Sequence, residues 1–234
     1  MSYNEKLLEL YRTYWEELSM RLETTDSNDF GDPFLISIDE EIVSQDVIKV
    51  MIFGQETRGW NPKEGGRENS LSKLMERYRG YFKGEKSIGS FWRGFSFFEK
   101  TLTQKFPEKK FHFVWNNISK IGRSGKRTGV SAGARKLERD YFSVVSGEVK
   151  IFNPDVVIFF TGPNRNGDIR HHFEDAKFSE IGSEFSCREL AKVSSSKLPK
   201  NTIRMYHPSY FGGFNKTRDV AIAELLNSIA RDYR

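Results

Sequence analysis

Four side chains that could do chemistry stand where apolar runs stop. Gln55 and Glu56 end KVMIFGQETRGW (Lys49–Trp60), Asn117 ends the apolar part of FHFVWNNISKIGR (Phe111–Arg123), and His207 lies in IRMYHPSYF (Ile203–Phe211). A carboxylate such as Glu56 can hold a water and offset a developing positive charge. A histidine such as His207 can hydrogen-bond a departing group. The amide of Asn117 carries a donor and an acceptor together, so it can match an adjoining N–H and C=O on one ligand edge. Each has a structural alternative. Glu56 could cap an element or pair with Arg58, Asn117 could bond a loop backbone with Asn116 as its rival, and His207 could be a buried histidine.

Such residues need a frame, and the apolar runs supply it. Together with DVVIFFTGPN (Asp155–Asn164) they are Val-, Ile- and Phe-rich and are punctuated by Gly, Asn and Pro, the pattern of strands buried on both faces. Amphipathic segments alternate with them, so the sequence predicts an α/β fold, with a parallel sheet whose chemistry sits at the carboxyl ends of the strands. Helices are expected over residues 3–23, 71–81, 90–105 with Ser90 as N-cap, 133–150 and 215–233. TTDSNDFGDP (Thr24–Pro33) reads as the turn that ends the first helix, and 170–199 reads as a hairpin or an irregular excursion.

At 234 residues the chain fits a single domain, 1–234, with an N-terminal helical extension over about residues 1–30. Hydrophobic residues at 37% with 20 Phe can build a core, and no run is long enough to span a bilayer. The amphipathic N-terminus lacks the apolar stretch of a signal peptide, so a cytoplasmic monomer that binds no membrane is expected. The one cysteine, Cys187, excludes an internal disulfide and reads as structural. His171 and His172 with Asp168 and Glu174 make too weak a set for a metal, and no metal or cofactor is called for. A net charge of +5 favours a polyanionic partner, and Lys120, Arg123, Lys126, Arg127, Arg135 and Lys136 crowd the segment after the second strand.

The order and content of these strand ends resemble the uracil-DNA glycosylase superfamily. Gly54-Gln55-Glu56-Thr57 is similar to that family's first motif, Gly-Gln-Asp-Pro, whose carboxylate positions the hydrolytic water. Asn117 falls where the family reads the edge of a flipped uracil. FFTGPN is similar to its scaffold strand, and His207-Pro208-Ser209 matches its last motif, with Phe211 at the position of the residue that wedges into the duplex. The resemblance implies a three-layer α/β/α domain with a central, mostly parallel four-stranded sheet. It also implies metal-independent hydrolysis of the N-glycosidic bond of uracil or another damaged base, as in DNA repair by base flipping. Catalytic roles would fall to Glu56 and His207, base contacts to Gln55, Asn117 and Trp60, and DNA contacts to Lys120, Arg123, Lys126, Arg127, Ser209 and Phe211. Glu56 stands for the family's Asp, Thr57 for its Pro, and Tyr210-Phe211-Gly212-Gly213 for its wedge loop. These departures keep open an alternative: a superfamily member that binds nucleic acid or nucleotides without excising a base.

Overall fold

A computed structural model describes residues 1–24, 30–41, 46–58, 60, 68, 70–84, 89–125 and 129–232. The elements in chain order are α1 (Tyr3–Thr24), β1 (Val47–Gly54), α2 (Leu71–Lys83), α3 (Ser90–Lys105), β2 (Lys110–Asn117), α4 (Ala132–Tyr141), α5 (Val145–Phe152), β3 (Val156–Phe159), α6 (Asn166–His172), β4 (Lys177–Ser179), β5 (Leu190–Ser194), β6 (Asn201–Met205) and α7 (Phe211–Asp232). They form two compact units, each made of three separated stretches: 1–40, 55–85 and 117–152, and 41–54, 86–116 and 153–234.

The second unit carries the sheet, in the order β2-β1-β3-β6-β5-β4. β1 pairs with β3, and β3 with β6, in parallel, whereas β5 runs antiparallel to both β6 and β4. The fold is therefore α/β with a mixed sheet of six strands, which corrects the expectation of four mostly parallel ones. The expected four are present and contiguous. What they lacked is a two-strand antiparallel edge, built from the stretch whose sequence pattern was least legible. β4 has three residues and β5 five, and neither is a continuous apolar run. Four-residue β3 is buried throughout, and Phe53 stacks on Phe159 across the β1–β3 pair at 4.8 Å. Buried Arg204 on β6 donates to the carbonyl oxygens of Cys187 and Arg188, which ties the approach to β5 onto its neighbour. Burial pulls that guanidinium down to about 10.

The first unit is helical. α1 buries Leu7, Tyr11, Leu18 and Leu22, the face that its three-to-four spacing foretold, and packs on α2, α4 and α5 as a wall of the unit. The helix expected over 133–150 is two helices separated at Phe142–Val144, where Phe142 N–H donates to Glu138 O and Val144 N–H to Phe142 O. In an unbroken helix, residues 138 and 148 would project about 80° apart. The break reorients α5, and both carboxylates reach the segment after β2. Glu138 accepts the backbone N–H groups of Lys120 and Ile121 at 2.9 and 3.3 Å. Glu148 meets Lys120 Nζ at 2.8 and 2.9 Å and accepts the Tyr11 hydroxyl at 2.6 Å. All four side chains are buried. Among the described residues, no helix is long and apolar enough to cross a membrane.

A buried pair of this kind is costly to halve and cheap to replace whole. Lys120→Met is expected to lower stability by about 3–5 kcal/mol in urea unfolding, and Lys120→Met with Glu148→Leu to recover most of that loss. A double variant no better than the single one would show that the pair does more than neutralise itself.

Candidate functional site

In the first unit, the residues after β1 are stitched to those after β2. Gln55 O accepts the Ser119 N–H at 2.9 Å, and Gly122 lies so close to Thr57 that an added Cβ would collide with the Thr57 carbonyl. A third segment joins them. Gly31 N–H donates to Gly122 O, Asp32 N–H to Trp60 O and Phe34 N–H to Lys120 O, all at 2.7–2.8 Å, and Phe30 bridges Arg123. Phe30–Pro33, the end of the stretch expected as a turn, is thus a buried backbone splint between the two motif segments. No local pattern signals this, because Gly31-Asp32-Pro33 reads as a turn whether or not it is covered.

Glu56 is half-buried, and its Oε1 accepts the Gly129 N–H at 2.8 Å. Gly129 has φ +88°, a conformation that favours glycine, and Ser131 two residues on caps α4 by accepting the Ala134 N–H. One oxygen of the carboxylate is therefore held by a loop amide. Asn117 is buried at the end of β2, with 1% of its surface exposed. Its rival Asn116 points Nδ2 at Met51 Sδ, 3.6 Å away, as expected for adjacent residues that face opposite sides of a strand.

In the second unit, His207 follows β6 by two residues. Its Nδ1 accepts the Ser209 backbone N–H at 3.1 Å and lies 2.8 Å from the Ser209 hydroxyl. A ring nitrogen that accepts an N–H cannot itself carry a proton, so the proton of the neutral ring sits on Nε2. The ring stacks on Phe91 at 6.2 Å. Desolvation, and then the positive charge of Arg165, push His207 down to about 4. Arg165 is buried beside Asp168 at 3.3 Å. Pro208 presses on α3 at Gly94, where an added Cβ would meet its ring at 2.5 Å. The His-Pro-Ser turn is therefore held by packing as well as by hydrogen bonds.

No protein-family model matches the chain, and neither does any curated protein. The assignment of the remaining residues rests on geometry. Lys120 is corrected: it is fully buried in the ion pair with Glu148 and cannot reach a phosphate. Trp60 is corrected as well. It is buried, meets Phe34 and Tyr81 edge-on at 5.5 and 5.8 Å, and lies under the Arg77 guanidinium at 4.5 Å, so it is core and not a stacking platform. Gln55 and Arg123 are half-buried, and Ser209 and Phe211 are exposed. Lys126 and Arg127 lie outside the described residues. Phe211 is the first residue of α7, which begins one turn earlier than its sequence pattern indicated. Ser90 opens α3, but Gly89 is its N-cap. Among the described residues, no group of three His, Cys, Asp or Glu side chains converges as a metal site.

The sequence reading omitted Arg165, which lies in the Pro163–Arg165 turn after β3. Only the fold brings its charge to bear on His207. Because the folded-state value for His207 lies below the usual 6.5, this group stabilises the fold fully above pH 6.5 and ceases to do so as the pH falls through about 4. The imidazole resonances of His207 should titrate near pH 4, and His207→Gln should remove part of the loss of stability between pH 6.5 and 4. A midpoint near 6.5 would refute the neutral ring.

Proposed function

We propose that this chain is a base-excision N-glycosylase that acts on uracil or another damaged base in DNA. The observation that carries the proposal is His207, a neutral imidazole with Nδ1 occupied and its proton on Nε2, at the end of a parallel strand. In this reading water attacks the sugar carbon as the N-glycosidic bond breaks, the base leaves with the bonding electrons while the Nε2–H stabilises the negative charge on its carbonyl oxygen, and the proton lost by the water ends on the departed base. A neutral donor of low pKa can do this at pH 7 without first being protonated. By the resemblance, Glu56 would orient the water and offset the positive sugar. β1 and β6 both flank β3 in parallel, so the two strands share one carboxyl end of the sheet, the end at which His207 follows β6. Asn117 would read the base edge, with Gln55 beside it. No metal is needed, and a chelator should leave the rate unchanged.

The alternative, base or nucleotide binding without excision, is favoured by the Glu56–Gly129 hydrogen bond. It gives the carboxylate a structural task, and glutamate is one methylene longer than the family's aspartate. Labelled single- and double-stranded oligonucleotides containing uracil, hypoxanthine or xanthine separate the two readings. Excision predicts base release that falls at least about a hundredfold in Glu56→Ala and in His207→Ala. No release by the wild-type protein from any of these, with binding retained, would select the alternative.

A further inference from the structure

The glutamate at 56 is one methylene longer than the aspartate of the family that the chain resembles, which moves a carboxylate by about 1.5 Å and adds a rotatable bond. A positioned water tolerates neither, since a misplacement of about 1 Å can cost about a hundredfold in rate. A glutamate in this role therefore needs a second fixed point. The first unit contains one: Glu56 Oε1 accepts the Gly129 N–H at 2.8 Å. Gly129 holds φ +88°, so this amide is presented by a backbone conformation that residues with a Cβ rarely adopt. The donor is itself tied down. Ser131, two residues on, accepts the Ala134 N–H on its hydroxyl at 3.1 Å and the Arg135 N–H on its carbonyl at 3.0 Å, which joins the loop to the start of α4. Gly133 packs on the Phe30 ring of the splint, which a Cβ there would meet at 3.4 Å. Further along α4, Glu138 holds the N–H groups of Lys120 and Ile121. One helix thus bears on both the carboxylate at 56 and the segment just past Asn117.

We propose that Gly129 is the positioning residue for Glu56: its N–H, carried on α4, fixes the carboxylate in the place from which it acts on the hydrolytic water, and the extra methylene of glutamate is what reaches it. This role rests on the excision reading proposed above. It has a counterintuitive consequence. An aspartate at 56, although it is the family's residue, falls short of its anchor, because drawing an oxygen back by about 1.5 Å from a donor now at 2.8 Å takes it out of hydrogen-bond range. The competing role for the same bond is closure of the loop alone, with no bearing on the rate.

The test pairs base-release kinetics on uracil-containing oligonucleotides with hydrogen exchange of the Gly129 amide, read by NMR in the full chain. Glu56→Asp should lower kcat by at least about tenfold with KM unchanged, and Gly129→Ala should do the same. Gly129→Asn, whose side chain tolerates positive φ, should regain most of kcat. Glu56→Asp and Gly129→Ala combined should cost no more than either alone, because the first substitution already removes what the second would remove. The Gly129 amide should be protected in the wild type and exchange at least about tenfold faster in Glu56→Asp. A Glu56→Asp protein as active as the wild type, or losses that multiply in the double variant, overturns the positioning role and leaves loop closure. An unprotected Gly129 amide in a wild-type protein that does release base sinks the anchor alone. A wild-type protein that releases no base while its Gly129 amide is protected defeats the excision reading, and the positioning role falls with it although the hydrogen bond stands.

Discussion

The buried contact between Lys120 and Glu148 is the constraint on which the first unit turns. An ammonium and a carboxylate removed from water are tolerable only if each is fully hydrogen-bonded, and the surrounding chain is arranged to do that. Burial pulls the lysine down, with Glu148 opposing, and pushes the Tyr11 hydroxyl well above its usual value, so Tyr11 is a committed donor to Glu148. The requirement reaches α1 through Tyr11, α5 through Glu148, and α4 through Glu138. The backbone that these groups hold runs from Ser119 to Gly122, just past Asn117. A break in the helix at Phe142–Val144 is the structural cost of bringing the two glutamates to one strand of chain.

The second unit solves a different problem, that of keeping a histidine neutral at a strand end. Ring packing against Phe91, the amide of Ser209 and the nearby guanidinium of Arg165 all oppose protonation or fix the tautomer. Each acts through a different element, namely α3, the turn before α7 and the turn after β3. Glycines at 94 and 213 allow the close approaches that hold this turn, which ties the chemistry of His207 to the packing beneath it.

Much of this was legible in advance where a short-range pattern carries the information. The α/β class, the four expected strands, the buried stripe of α1 and the helix at 71 were read from periodicity, which needs only local sequence. The antiparallel edge, the broken helix and the buried 30–34 splint were not, because each exists only through partners distant in the chain. β5 is a strand because β6 offers it an edge, and Glu138 is buried because Lys120 and Ile121 present N–H groups to it. Lys120 and Trp60 show the same limit from the other side. A lysine in a basic run and a tryptophan after a motif look like surface contacts until their neighbours are known.

The sequence by itself determined which residue types end the strands: the carboxylate at 56, the amide at 117 and the imidazole at 207, since the apolar runs that precede them could only be buried strands. The tertiary structure decided what those groups can do. It assigned Nδ1 of His207 to Ser209, gave an oxygen of Glu56 to Gly129, took Lys120 out of solvent and left Phe211 in it. Proton position, charge and exposure depend on neighbours brought together by folding, and those neighbours come from elements far apart along the chain.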